Sequence, residues 1–291
     1  MNLWQEFLQP TSVSEAIEYL HNAPAPVIPI AGGTDLLLDM KQGRHSPATT
    51  LVDMTSIPEL NAIEVRGDEL FIGAAVPVNR IVEHPLVNEH AQALVEACQL
   101  IAGPQVRNTA SLGGNVAHAL PAADGTIALV CLDAQTEIAG QTGLYRKPFI
   151  ELFVGPGKSA IDKSAEILVG FYVNLLEPGQ ASCFKRIMRP QGVALPILNC
   201  AVWIHRDQES VLDCRFSVGP GGPTPFRASE AETIIRGKRV NDDELSEVFQ
   251  CVLSQAKFRT SPQRATADYR KHIVVDLFKN TFLTAWIRAA N

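Results

Sequence analysis

Alternating and helix-spaced hydrophobic positions divide the chain into two unequal parts. In SVSEAIEYLHN, Val13, Ile17 and Leu20 share one helical face, and Ser12 stands three residues before Glu15 as a capping box, so a short helix is expected. VIPI (27–30) reads as a brief strand running directly into AGGTDLLL, and TTLVDM as another. AIEVRGDELFIGAAV alternates around Gly67-Asp68 and predicts a hairpin. Ala91, Leu94, Val95, Cys98 and Ile101 fall at helical spacing. The stretch that follows, IAGPQVRNTASLGGNVAHALPAADG (101–125), is therefore read as a helix end and then a glycine loop. An apolar segment (Ile127–Leu132), a TEI…LYR hairpin, a short PFIELF helix and the strand EILVGFYV complete this part. The order mixes helices and strands without strict alternation, which points to the α+β class.

NLLEPGQ (174–180) interrupts the pattern at Pro178-Gly179, and a boundary is placed there, between 1–176 and 177–291. Beyond it come three strands, SCFKRIM, ILNCAVWI and SVLDCRFSV. Three helices follow: one from Ser229 to Gly237, one starting at Asn241 or Asp242, and a long one from about Ala265. Together they make a small three-strand, three-helix lobe.

Composition changes this picture mainly by exclusion. A chain of 291 residues with 46% hydrophobic and 19% charged residues has ample material for a core. Its net charge of −6, with both signs mixed along the chain, argues against a nucleic-acid grip. No signal peptide is read at MNLWQEFLQP, and VALPILNCAVWI, the longest apolar run, is too short to span a bilayer. The six cysteines are scattered with no metal-ligand spacing, and they suit packing in a reducing cytoplasm.

Candidate chemistry concentrates in the glycines. Gly32-Gly33 and Gly113-Gly114 each follow an apolar element and have small hydroxyls nearby: Thr34 in one case, Thr109 and Ser111 in the other. Uncovered backbone N–H groups make an anion-binding concavity that suits a diphosphate, although a glycine pair taken alone is more often a tight turn. GPGKS (155–159) lacks the first glycine of a P-loop because Leu152 stands there. GPGGPT (219–224) ends in Thr224 where a dinucleotide fingerprint needs glycine. The histidines are dispersed, and only His118 lies among the glycines, so any chemistry would come from a bound cofactor.

Taken in order, AGGTDLL, AGPQVRNTASLGGNV, GPGKS…AEIL, CFKRIMR, PTPFRASEAE and DYRKHIVV resemble the FAD-binding subunit of the molybdenum hydroxylases, the xanthine and carbon monoxide dehydrogenase group. The resemblance implies an FAD-binding domain of the vanillyl-alcohol oxidase/PCMH type in two subdomains (about 1–57 and 58–176), with the small lobe behind it. It implies that the segment Pro29, Ile30, Ala31, Gly32, Gly33, Thr34, Asp35 and Leu36 wraps the FAD diphosphate and ribityl chain. Ser111, Leu112, Gly113, Gly114 and Asn115 would do the same. Asp124 would contact the cofactor by hydrogen bonding. Leu168 would lie near its adenine end, Lys185 near the flavin, and Ile101, Ala102 and Ala117 along the cleft.

The same resemblance implies partners. A large subunit would carry molybdopterin, and a small one the iron–sulfur clusters. FAD on this chain would collect the electrons for an acceptor, often NAD. Ile101 replaces an aromatic found in some relatives, and Leu120-Pro121 replaces a common Ser-Pro. After Arg189 the chain reads PQGVALP, a loop expected to reach toward the flavin face. Two other readings use the same residues: a stand-alone flavoenzyme acting on a small molecule, and a cofactor-free scaffold of the same fold.

Overall fold

The computed structural model describes residues 2–189 and 195–290. The chain opens with β1 (Glu6–Leu8), α1 (Val13–Asn22), β2 (Val27–Ile30), α2 (Leu36–Lys41) and β3 (Thr50–Asp53). The strands pair in parallel in the order β1-β3-β2. This stretch does alternate strand and helix; three-residue β1 is too short to leave a hydrophobic period. Ser12 caps α1 as expected, accepting the N–H of Glu15 at 3.2 Å.

The middle of the chain contributes β4 (Ile63–Arg66), β5 (Glu69–Gly73), α3 (Val78–Glu83), α4 (Pro85–His90), α5 (Gln92–Gln99), α6 (Pro104–Arg107), α7 (Leu112–Ala117) and α8 (Asp124–Cys131). It continues through β6 (Gln135–Gly140), β7 (Gly143–Pro148), β8 (Phe153–Gly155), β9 (Lys158–Ser159) and β10 (Ile167–Asn174). β4-β5-β10-β6-β7 form an antiparallel sheet. Gly67 turns the β4–β5 hairpin with φ +68°, and Gly157 turns β8 into β9 with φ +68°. GPGKS is thus a small hairpin rather than a phosphate loop. The PFIELF helix is one 3-10 turn, Phe149–Leu152.

The last part holds β11 (Gln180–Met188), β12 (Pro196–Asp207), β13 (Ser210–Gly219), β14 (Phe226–Arg227), α9 (Ser229–Ile235), α10 (Asp242–Gln255) and α11 (Ala267–Arg288). The sheet runs β11-β12-β13-β14, so a two-residue fourth strand joins the three expected ones. Pro223 and Pro225 beside it hide any alternation.

One face of this sheet packs on α9, α10 and α11 around Phe216, Phe278 and Phe282. Its other face meets α5 and α8: Phe184, Ala201 and Trp203 belong to the same buried cluster as Leu94, Cys98, Ile127 and Val130. A clasp reinforces this junction. Glu96 of α5 accepts the N–H of Phe184 at 2.7 Å and an Arg288 N–H at 2.5 Å, and Arg288 also donates to the Ser182 carbonyl at 3.0 Å. The two lobes are thereby joined by shared core as well as by charge.

Candidate functional site

The first glycine pair lies where β2 ends and the chain turns into α2. Gly33 has φ +63°, a conformation that favours glycine. A Cβ on Gly32 would come within 2.0 Å of the Thr109 carbonyl oxygen, so the two glycine-bearing segments touch backbone to backbone. Among the described residues, the N–H groups of Gly32, Gly33, Thr34, Asp35 and Leu36 donate to no protein acceptor; Leu37 N–H, bonded to Gly33 at 3.0 Å, is the first that does. Five consecutive free donors are the arrangement an anion needs.

The second pair differs from the loop expected of it. Ser111 is an N-cap, and Gly113 and Gly114 lie inside α7. The Leu112 and Gly113 N–H groups bond to the Val76 and Ala74 carbonyls, and that of Gly114 to Ser111 Oγ at 3.1 Å. These donors are engaged by the protein itself, because the capping serine and the strand-end carbonyls outweigh glycine's poor helix propensity. What α7 offers instead is space: Gly114 is exposed, and a Cβ there would meet only Ser111 Oγ at 3.2 Å.

Asp35 of the first segment reaches His118 at the end of α7, Oδ2 to Nδ1 3.2 Å. The hydrogen bond to Asp35 holds the imidazole above its usual range, and the same bond holds the Asp35 carboxyl below its own. The pair is substantially exposed and spans the two segments.

Ile101 and Ala102 lie in the turn that follows α5. Ala102 has φ +43°, and Arg107 pins this turn by donating to the carbonyls of Ile101 and Ala102 at 3.0 and 2.9 Å. Ala117 is exposed on α7, and Leu168 is half-buried on β10 beside a bulge. Asp124, the first residue of α8, is 4% exposed; Arg186 Nη1 donates to its Oδ2 and Asn199 Nδ2 to its Oδ1 at 2.7 Å. Desolvation pushes the Asp124 carboxyl above its ordinary value, against the opposing pull of Arg186.

Alternation along β11 turns Phe184 and Arg186 toward the first lobe and Lys185 toward α11, where its Nζ donates to the Asn280 carbonyl at 3.2 Å. Lys185 shares an open cavity of about 450 Å³ with Leu100, Asp276 and Asn280, so it neighbours the Ile101 turn while facing away from Asp124. Pro190–Ala194, in the loop expected near the flavin face, lie outside the described residues.

Arg107, Arg186 and Asn199 were not legible as site residues. Each acts on a partner distant in sequence or on a backbone carbonyl, and neither leaves a motif. Five of the six cysteines are buried, and among the described residues no group of His, Cys, Asp and Glu could hold a metal ion. None of the helices described is long and apolar enough to cross a membrane.

An anion-ready turn, with an open glycine on the helix packed near it, is an arrangement fit for a phosphate-bearing cofactor. The model for the FAD binding domain in molybdopterin dehydrogenase matches residues 4–173, and that for the CO dehydrogenase flavoprotein C-terminal domain matches residues 182–285. The chain is 30% identical over 277 residues to the putative xanthine dehydrogenase FAD-binding subunit of Escherichia coli strain K12, covering 94% of this chain and 93% of that one. It is 27% identical over 285 residues to the carbon monoxide dehydrogenase medium chain of Hydrogenophaga pseudoflava, covering 98% of both. A solved carbon monoxide dehydrogenase of that organism, lacking the Mo-pyranopterin moiety of its cofactor, superposes with a TM-score of 0.91 over 97% of both chains.

The chain belongs to the family of FAD-binding medium subunits of molybdenum hydroxylases, oxidoreductases that act as multi-subunit complexes.

Proposed function

We propose that this chain is the electron relay of such a complex: it holds FAD, receives electrons from iron–sulfur clusters on a small partner, and delivers them to an acceptor such as NAD. A large molybdopterin-bearing partner would hydroxylate the substrate. When bound, FAD supplies a carrier able to exchange electrons singly with clusters and in pairs with a nucleotide acceptor. The run of N–H groups from Gly32 to Leu36 carries this reading, since it fits a diphosphate and has no protein acceptor among the described residues. Gly114 leaves room beside that run, and Ser111 fixes the start of α7. Ile101, Ala102 and Ala117 would border the cofactor, with Asp124, Leu168 and Lys185 further along it.

We place the domain division between 176 and 177, in the connection from β10 to β11, and the protein in the cytoplasm, where its buried thiols stay reduced. The test is incubation of the purified chain with FAD, followed by gel filtration and absorbance. Flavin absorbance that co-elutes with protein is expected. A chain that stays colourless, alone and with its co-purifying subunits, would overturn the assignment.

A further inference from the structure

Asp124 opens a helix of the first lobe, yet its carboxylate is held almost entirely by the second. Arg186 of β11 occupies one oxygen and Asn199 of β12 the other, and Asn199 also donates to the Ala122 carbonyl at 3.1 Å. The Arg186 side chain is only 5% exposed; its Nη2 contacts Met188 Sδ at 3.0 Å, and its Nε has no partner among the described residues. Asn199 Oδ1, Asn115 Oδ1 and Thr126 Oγ1 are likewise buried and unpaired around the start of α8.

Two glycines make room for this arrangement. A Cβ on Gly219 would meet Asn199 Oδ1 at 2.3 Å, and one on Gly125 would meet Asn115 Oδ1 at 2.9 Å. Each such atom would cost about 1–3 kcal/mol if it stayed unpaired, so the junction calls for a polar occupant, a ligand hydroxyl or an ordered water. The unpaired set mixes a donor with acceptors, which matches hydroxyl groups or water rather than an apolar filling.

We propose that Arg186 is a positioning residue for the cofactor: from the second lobe it fixes the Asp124 carboxylate at the head of α8, so that FAD is held fully only when the lobes are docked. The proposal rests on the reading that FAD lies along the cleft containing Asp124. Without Arg186, Asp124 is left in a buried position with one amide as its partner. The carboxylate then either takes up a proton or swings away, and in both cases the fixed, charged acceptor is lost.

The test titrates FAD into the deflavinated full chain, following flavin fluorescence, for the wild type, Arg186→Gln, Arg186→Lys, Asp124→Asn and the double variant Asp124→Asn/Arg186→Gln. Arg186→Gln is expected to weaken FAD binding about tenfold, the scale of one charged hydrogen bond. Arg186→Lys should recover most of that loss, and Arg186→Gln should have no further effect once Asp124 is Asn. Should Arg186→Gln fail to fold, Arg186→Lys with and without Asp124 carries the same comparison at smaller amplitude. Wild-type affinity in Arg186→Gln, or additive losses in the double variant, would sink the positioning role while leaving FAD binding intact. A wild-type chain that takes no FAD would remove the underlying reading, and the proposal with it.

Discussion

The two glycine pairs look alike on paper and serve different ends. At Gly32-Gly33, both residues are required by the protein itself: one because the Thr109 carbonyl leaves no room, the other because its φ is positive. At Gly113-Gly114 only the first is so required, since a Cβ on it would lie 2.5 Å from the Ala74 carbonyl oxygen. Gly114 has no such reason. Three of these four glycines would therefore be present in a scaffold with no ligand at all, and only Gly114 speaks for an occupant. The donors divide the other way: the first pair begins a run of free N–H groups, whereas those of the second are bonded within the protein. On the proposed reading, one segment would supply the hydrogen bonds to the cofactor and the other the clearance.

That division can be broken at either end. Gly32→Ala should do the greatest damage, about 3 kcal/mol of stability or more, because neither backbone can retreat from the other; denaturant melts of the cofactor-free chain measure it. Gly114→Val should leave those melts within about 1 kcal/mol of wild type and weaken FAD binding by about 1–3 kcal/mol, read by titration. Equal effects of the two changes on stability would erase the distinction. Ser111→Ala removes the cap of α7 and should lower stability by about 1 kcal/mol, with a smaller loss of FAD affinity.

The smallest effect concerns the bridge between the segments. His118 is raised above 6.5, so its contribution is complete below that value and is lost as pH rises through its folded pKa. Asp35 is lowered from 3.8, so its contribution is present above 3.8 and lost as pH falls through the depressed value. With Asp39 and Arg44 the other charges nearby, the bridge is strongest between 3.8 and 6.5 and fades above. FAD dissociation should quicken by about two- to threefold as pH climbs past that window, the modest scale of an exposed pair. His118→Ala should flatten the dependence; a profile unchanged by it would dismiss the bridge.

Elements whose signals are local were readable from the chain. The β4–β5 hairpin announced itself through Gly67-Asp68, α1 through Ser12 and Glu15, and α10 through Asn241, which caps it by accepting the Glu244 N–H. α7 was not readable, because two adjacent glycines argue for a loop until the carbonyls of Ala74 and Val76 are seen taking its first donors. The site divides on the same line. The turn at Gly32-Gly33 follows from a strand running into glycines. The Asp124–Arg186–Asn199 knot joins positions 62 and 75 residues apart, and no period or spacing connects them.

The Glu96–Arg288 clasp has a consequence beyond joining lobes. Among the described residues β11 is an outer strand, with β12 on one side and no strand on the other. Its outward main-chain groups would be a template for a strand from another molecule. The Phe184 N–H and the Ser182 carbonyl are already taken by Glu96 and Arg288. The sheet is closed to strand addition along this stretch, so a newly made chain waiting for its partners is guarded there against joining its own copies.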